Sequence, residues 1–261
     1  MASLSGKRVV ITRPRHQASA LMEQIQERGG QPICIPVIEI ASLNDFTQLD
    51  QALRQVQTYD WLVLTSVNGV NAVWERFEAL GIRPLLERVQ VAAIGPKTAA
   101  ALEQRGVTPD FVPNEYIAEA ILPGLGDIRG RRILLLRADI ARAALAYAIR
   151  AAGGLAEDVS AYRTLPVGIE PAAWESIKAG VDIIIFTSSS TVVHFVHGLA
   201  EQGFALPRLP GDPLIACIGP ITAATATGYG LHIDIMPQNY TIEGLISALD
   251  AYEVEREVKT T

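Results

Sequence analysis

Short apolar runs alternate along the chain with segments whose apolar residues recur at helical spacing. The runs Val9–Thr12 and Ile183–Phe186 have strand length, and glycines end several of the helical segments. In the amino-terminal half, the pattern predicts strands at Val9–Thr12, Pro32–Pro36, Trp61–Thr65, Val91–Ile94 and Phe111–Val112, and helices at Gln17–Arg28, Phe46–Val56, Asn68–Ala79, Pro96–Arg105 and Ile117–Leu125.

The second half of the chain repeats the first. When Ala92–Glu119 is placed over Ala216–Glu243, an offset of 124 residues, 12 of the 28 positions are identical. The same offset places Arg13 on Arg137. The order of elements recurs as well, and it ends with a predicted helix at Ile242–Tyr252 followed by a charged tail that we expect to be frayed.

Regular alternation of strands and helices with short connections predicts an α/β protein built on parallel sheets. Five strands in each half indicate a flavodoxin-like strand order. We therefore expect an internal duplication that forms two flavodoxin-like lobes. The repeat alone would separate its two halves near residue 127.

Composition and charge narrow the functional classes. Of 261 residues, 49% are hydrophobic and 19% charged, and the formal net charge is −6. This acidic balance argues against nucleic-acid binding. No apolar run approaches membrane-spanning length, and the first residues do not look like a signal peptide, so we expect a soluble cytoplasmic protein. Cys34 and Cys217 lie far apart and form no metal-binding spacing, so we expect no metal.

The candidate binding residues follow the predicted strands, at the sheet edge where parallel α/β proteins bind ligands. Many of them open a helix, where unpaired N–H groups and the helix dipole favour an anion. Plain helix capping is the alternative for each Ser or Thr, but the recurrence of the set favours binding. The candidates are Thr12, Arg13, Ser66, Asn68, Thr98, Arg137, Thr187, Ser188, Ser189, Gly219, Thr222, Tyr240 and Thr241, with Tyr116 at the place equivalent to Tyr240.

Tyr162 is the candidate proton donor. It follows the second strand of the second half, where a buried phenol beside a binding site could act as an acid, although packing is the alternative role. His194 and His197 could share a helix face, but no third ligand lies near them, so we interpret them as a surface pair. Asp139, near Arg137 and Arg142, is interpreted as a solvated helix start.

Several motifs taken together resemble the uroporphyrinogen-III synthase family. The resemblance runs from about Gly6 to Leu249, and the sequence departs from the family pattern at Ser189, where proline is common, and at Ile221, where threonine is frequent. The motifs are Ile11–Pro14, Pro36–Ile40, Trp61–Asn68, Ala93–Thr98, Leu136–Arg137, Val159–Thr164, Phe186–Ser190 and Cys217–Thr222.

The resemblance implies two lobes between which the chain crosses twice. One lobe would hold residues 1–36 and 166–261, and the other residues 41–160. Residues 37–40 and 161–165 would form a two-stranded hinge. Independently of the resemblance, the repeated helix starts suggest a cleft ringed by helix N-termini, which could hold many carboxylates without many lysines.

The resemblance further implies a lyase of the hydro-lyase type, which closes the linear tetrapyrrole hydroxymethylbilane to uroporphyrinogen III. Ring D is inverted through a spiro intermediate, and water is lost. No cofactor is implied. Tyr162 would protonate the departing hydroxyl, and the helix-start residues would hold the substrate carboxylates. We expect a monomer that acts without membrane or nucleic acid, with a transient hand-over of substrate from hydroxymethylbilane synthase.

Two other classes share some of these features. A non-catalytic, two-lobed binding protein for a small anion would have the same hinge and helix starts. A pair of response-regulator-like switch domains would need clustered acidic residues at the strand ends, where this chain carries Thr, Ser and Arg. The main alternative is therefore the anion-binding protein.

Overall fold

A computed structural model describes residues 3–115, 118–204 and 209–260. Within these ranges the chain forms nine strands and nine α-helices, and 3₁₀ turns at Val56–Thr58 and Ala118–Leu125. The strands are β1 (Arg8–Ile11), β2 (Gln31–Cys34), β3 (Ile38–Ala41), β4 (Trp61–Leu64), β5 (Gln90–Ala93), β6 (Arg132–Ala138), β7 (Leu155–Pro166), β8 (Ile183–Phe186) and β9 (Leu214–Cys217). The helices are α1 (Arg15–Glu27), α2 (Thr47–Arg54), α3 (Val67–Leu80), α4 (Pro96–Glu103), α5 (Ala144–Ala151), α6 (Pro171–Lys178), α7 (Ser189–Glu201), α8 (Pro220–Gly228) and α9 (Ile242–Thr260).

The chain divides into two compact units. Unit one comprises Met1–Glu39 and Leu165–Thr261, and unit two comprises Ile40–Thr164. The chain therefore passes from one unit to the other twice, within β3 and within β7. The break near residue 127 that the repeat alone suggests falls inside unit two.

Unit one is built on a sheet in the order β2-β1-β8-β9, whose neighbouring strands are parallel. A single parallel bridge from Ile235 to Ala216 adds a fifth position beside β9. Numbered along this unit, the order is 2-1-3-4-5, which is the flavodoxin-like order.

Unit two has a sheet in the order β3-β7-β6-β4-β5, and a parallel bridge from Phe111 to Ala92 extends it beyond β5. Its part from β7 to β5 pairs in parallel and places the repeat-equivalent strands in the same spatial order as β2-β1-β8-β9 in unit one. Each sheet combines the first two strands of one half of the sequence with the later strands of the other half. The predicted parallel α/β class is confirmed, whereas the strands predicted at the fifth positions are reduced to single bridges.

Equivalent aspartates anchor the two sheets at the amino ends of their strands. The Asp60 carboxylate accepts the backbone N–H of Arg132 at 2.8 Å in unit two, and the Asp182 carboxylate accepts that of Arg8 at 2.8 Å in unit one. In each pair the aspartate comes from one half of the sequence and the N–H from the other. These matching bonds hold strands from opposite halves of the sequence in equivalent positions in the two sheets.

The cores lie on both faces of each sheet, which explains the continuous apolar runs. In β4, Leu62 packs on the α3 side, whereas Val63 packs on the α5 side. In β8, Ile184 and Ile185 likewise belong to different clusters. Because successive strand residues point to opposite faces, a strand buried on both sides needs apolar residues throughout.

Two local predictions are wrong. The helix predicted at Ile117–Leu125 is a 3₁₀ turn over Ala118–Leu125, and it contains Pro123, which has no N–H to donate within an α-helix. Ile117 itself lies outside the described residues. The tail expected to fray after Tyr252 continues α9 as far as Thr260, since its Glu, Arg and Lys residues have good helix propensity.

No described helix combines the length and apolarity needed to cross a membrane.

Candidate active site

The sequence-predicted residues gather at the carboxyl edge of each sheet. In unit two, Ser66 follows β4, and Gly95 follows β5. In unit one, Ser188 follows β8, and Gly219 follows β9. Each of these residues is the N-cap of the next helix, so each edge presents helix N-termini.

Tyr162 lies at the carboxyl edge of unit two and contacts the start of α3. Its hydroxyl is 3.0 Å from the Ser66 Oγ, and a hydrogen bond with Asn68 also reaches the phenol. The Ser66 Oγ in turn accepts the N–H of Gly69 at 2.9 Å. Tyr162 is only 7% exposed. Its hydroxyl therefore sits in a fixed network of Ser66, Asn68 and the first turn of α3.

The environment of Tyr162 keeps its phenol protonated. Burial raises the pKa of the phenol above its usual value, and the nearby negative charge of Asp139 raises it further. Hydrogen bonds with Ser66 and Asn68 act in the opposite direction, but the net shift is upward. At neutral pH the group is a neutral O–H donor, which is the state that general-acid catalysis requires.

Arg137 is occupied by partners within unit two. Its Nε donates to the Asp158 carboxylate at 2.9 Å, and its Nη2 makes a second, shorter bond to the same group. Its Nη1 donates to the backbone carbonyl of Arg142 at 2.8 Å. The Arg137 side chain is 4% exposed, against 29% for that of Asp158. Sequence reasoning placed a substrate ligand here, whereas the structure gives the guanidinium an internal counter-ion.

The glycine-proline helix starts have nearly the same backbone in both units. Gly95 has φ −175° and ψ 177°, and Gly219 has φ −174° and ψ 176°, each followed by proline in the first turn of the helix. Thr98 and Thr222, in the first turns of α4 and α8, are buried. A Cβ on Gly219 would lie 3.2 Å from the Tyr240 ring, so the absence of a side chain lets Tyr240 pack against this helix start.

The predicted hydroxyls of unit one act as helix caps or bridge to a neighbouring helix. The Ser188 Oγ accepts the N–H of Thr191 at 3.3 Å, and the Thr241 Oγ1 accepts that of Gly244 at 3.0 Å. The Ser189 hydroxyl contacts α8 instead, where it bonds the Thr225 hydroxyl at 2.9 Å. Capping and anion binding are compatible, because a hydroxyl that accepts an N–H can still donate its own hydrogen.

Arg13 differs from its repeat equivalent Arg137. It is half-buried after β1, and its Nη2 donates to the neutral side chain of Gln17 at 3.2 Å. Burial lowers the pKa of its guanidinium, and no described carboxylate forms an ion pair with it. Neighbouring Thr12 is fully buried and donates its hydroxyl to the Ile185 carbonyl at 2.9 Å, which ties β1 to β8. Thr187, directly after β8, is half-buried.

Sequence reasoning gave Asp139 the wrong role and did not consider Asp158. Asp139 lies in the turn after β6 rather than at a helix start, since α5 begins at Ala144. Because β7 also carries Glu157, Ser160 and Arg163, the charge of Asp158 did not by itself mark its role in the sequence. Tyr116 lies outside the described residues. Among those that are described, no three His, Cys, Asp or Glu side chains are grouped to hold a metal ion.

Comparison with known proteins identifies the family. The model of the family described as uroporphyrinogen-III synthase HemD matches residues 19–247 of this chain. The chain belongs to the uroporphyrinogen-III synthase family. A uroporphyrinogen-III synthase from Synechococcus elongatus is 30% identical over 254 residues, which cover 95% of this chain and 96% of that protein. One from Chlorobaculum parvum is 24% identical over 241 residues, covering 90% and 94%.

Solved structures show the same fold. A mutant uroporphyrinogen III synthase from Thermus thermophilus aligns with a TM-score of 0.68 at 22% identity, covering 98% of this chain and all of that one. The uroporphyrinogen-III synthetase of Helicobacter pylori aligns with a TM-score of 0.57 at 17% identity. The two-unit arrangement of parallel sheets is therefore the fold of these structures.

Proposed function

We propose that this chain is a uroporphyrinogen-III synthase that closes hydroxymethylbilane to uroporphyrinogen III as a hydro-lyase, with inversion of ring D and loss of water. The observation that carries the proposal is the buried Tyr162 phenol, held 3.0 Å from Ser66 at the carboxyl edge of a parallel sheet in a chain of this family. The reaction needs a proton donor at the leaving hydroxyl and a pocket that folds the bilane. The carboxyl edge of the sheet suits both needs.

In the proposed reaction, the Tyr162 phenol gives its proton to the hydroxyl that leaves ring A. The carbon–oxygen bond breaks as electrons move in from the pyrrole nitrogen, and water and a protonated azafulvene result, with the phenolate as counter-charge. The substituted carbon of ring D then attacks the azafulvene methylene, and the spiro intermediate opens and recloses with ring D inverted. The proton released when the macrocycle regains its aromatic pyrroles restores the phenol. The Ser66 hydroxyl can donate to the phenolate meanwhile.

The substrate carries eight carboxylates, and the helix starts are suited to hold them. The first-turn N–H groups after Ser66 and Gly219 can donate to carboxylate oxygens, aided by the helix dipole. Arg13 adds a half-buried cation. Its guanidinium donates to the neutral amide of Gln17 and forms no ion pair with a described carboxylate, so a substrate carboxylate would supply a counter-charge. In this proposal the helix starts and Arg13 bind the substrate carboxylates, and Tyr162 transfers the proton.

The decisive assay feeds hydroxymethylbilane to the protein and separates the type I and type III isomers, since spontaneous closure gives type I. Tyr162→Phe keeps the ring and removes the proton. General-acid catalysis is worth about 10²–10⁴ in rate, but this leaving group departs readily, so we expect a loss of about tenfold to a hundredfold in kcat with type III retained.

Tyr59→Phe is the matched control. Tyr59 is also a buried, hydrogen-bonded phenol of unit two, bound to Glu157 at 2.5 Å, but it precedes β4 and so lies at the opposite end of the sheet. We expect this variant to keep the wild-type rate. A wild-type rate for Tyr162→Phe would make Tyr162 a packing residue. Bilane binding without any acceleration of type III formation would instead favour a non-catalytic anion-binding protein.

Several features of the proposed enzyme stay predictions. They are the lobe boundaries at residues 36, 41, 160 and 166, the hinge role of residues 37–40 and 161–165, the monomeric state, the cytoplasmic location, and the hand-over of substrate from hydroxymethylbilane synthase.

A further inference from the structure

A β-bulge lies beside Tyr162. Where β6 pairs with β7, Arg137 lies opposite Ser160, but the next residue, Ala138, lies opposite Tyr162. Ala161 is therefore an extra residue in β7 with no partner of its own. Such bulges bend a strand and redirect the side chains that follow them.

The bulge changes the face on which Tyr162 packs. In an unbroken strand, neighbouring residues point to opposite faces of the sheet. Ala161 and Tyr162 are neighbours, yet both belong to the same apolar cluster as Val159 and the α3 residue Val70. In regular pairing Tyr162 would face α5 on the other side of the sheet. The extra residue thus turns the phenol toward α3, where Ser66 and Asn68 bind it.

Asp139 makes two hydrogen bonds to β7 directly after the bulge. Its N–H donates to the carbonyl of Tyr162 at 3.0 Å, and its Oδ1 accepts the N–H of Thr164 at 2.9 Å. The same Oδ1 also accepts the N–H of Ile140 at 3.0 Å, which fixes the orientation of the carboxylate. Two bonds from one residue therefore hold the segment of β7 on either side of Arg163.

We propose that Asp139 is a positioning residue, which holds the bulged segment of β7 so that the Tyr162 phenol stays against Ser66. This proposal rests on the proposed function of Tyr162 as the acid. Asp139 holds the segment through the place of its Oδ1; its charge adds to the raised pKa of the phenol but does not hold the segment. Two substitutions separate these properties: Asp139→Asn keeps an oxygen at the same place and removes the charge, whereas Asp139→Glu keeps the charge and moves it by one methylene. Asp139→Ala removes both.

The first measurement is steady-state kinetics on hydroxymethylbilane. Because the gain from a general acid depends on its placement, we expect Asp139→Ala and Asp139→Glu to lower kcat by about threefold to tenfold, with KM within about twofold of wild type. Asp139→Asn should recover most of the loss. In a Tyr162→Phe background, Asp139→Ala should lower kcat no further. Asp110→Ala is the control, because it removes an equivalent carboxylate bond, to the N–H of Val91 at 2.7 Å, at the amino end of β5.

The second measurement does not depend on activity. In protein labelled with 3-fluorotyrosine, the ¹⁹F resonance of Tyr162 is the one that disappears in Tyr162→Phe. It should shift or broaden in Asp139→Ala and Asp139→Glu, and keep its position in Asp139→Asn and Asp110→Ala. If Tyr162→Phe has the wild-type rate but the resonance moves as expected, the acid role fails and the positioning role holds.

Two results would overturn the proposal. The first is an unchanged Tyr162 resonance and kcat in Asp139→Ala. The second is an Asp139→Asn variant as impaired as Asp139→Ala, because the residue would then act through its charge. Asp139 is exposed, and circular dichroism of each variant confirms that the fold is intact before either result is counted.

Discussion

The Arg137–Asp158 pair offers a test that separates a structural arginine from a substrate ligand. Three hydrogen bonds hold the Arg137 guanidinium, two of them to the Asp158 carboxylate. The Arg137 side chain is almost sealed from water at 4% exposed, whereas that of Asp158 is 29% exposed. Removing either partner should therefore destabilise unit two, and by different amounts.

The expected asymmetry follows from the two exposures. Asp158→Asn leaves a buried guanidinium without a counter-charge, and a broken buried pair costs about 3–5 kcal/mol; we take about 3 kcal/mol because water reaches the Asp158 side. Arg137→Met removes the buried charge and leaves a carboxylate that water can solvate, so we expect about 1–2 kcal/mol. The double variant should cost less than the sum of the single ones, with a coupling of about 1–2 kcal/mol.

Urea unfolding followed by tryptophan fluorescence measures these costs. The chain has three tryptophans. Trp61 and Trp74 lie in unit two and Trp174 in unit one, so a Trp174→Phe background reports on unit two. A loss of about 3 kcal/mol should also lower the melting temperature by roughly 10 °C. The reasoning fails if Arg137→Met leaves the free energy of unfolding unchanged but raises KM, because Arg137 would then bind substrate.

Two further predictions concern anchoring and thiol reactivity. Combining Ser66→Ala with Thr222→Ala should raise KM and release bilane that closes to the type I isomer, because carboxylate anchoring weakens; isomer separation measures this, and an unchanged type III fraction would contradict it. Burial raises the pKa of the Cys217 thiol to about 12, and that of half-exposed Cys34 is also raised. A colourimetric disulfide reagent at pH 8 should therefore titrate Cys34 slowly and Cys217 only after denaturation, and prompt reaction of both thiols in native protein would contradict this.

The sequence predicted the parallel sheets well because their signal is local. Runs such as Ile183–Phe186 are apolar at every position, as a strand buried on both faces requires. The helix starts at Ser66 and Ser188 were equally readable, since a Ser directly after such a run is a common N-cap. These features depend on a few neighbouring residues, so the fold class and the sheet edge followed from the sequence.

The roles of individual residues depended on pairing between distant strands. The bulge at Ala161 has no marker in the sequence, because it consists only of a shift in register between β6 and β7. The sequence predicted that Tyr162 follows a strand, but it did not predict on which face of the sheet the phenol packs. For the same reason, Asp139 looked like a solvated charge, whereas its carboxylate accepts the N–H of Thr164.

The two repeat-equivalent arginines have different partners because different residues lie on the strand beside each of them. In unit two, Leu135 lies opposite Asp158 and Arg137 opposite Ser160, so Arg137 and Asp158 are diagonal neighbours within reach of each other. The matching register in unit one pairs Ile11 with Cys34. Cys34 is thus the positional equivalent of Asp158, and it carries no charge that could pair with Arg13. The same arginine is neutralised internally in one unit, whereas in the other its bonded partner is the neutral Gln17. The repeat makes the two arginines equivalent in the sequence, but the neighbouring strand gives Arg137 a carboxylate partner and places Cys34 beside Arg13. This difference is the reason for proposing Arg13, and not Arg137, as a ligand of a substrate carboxylate.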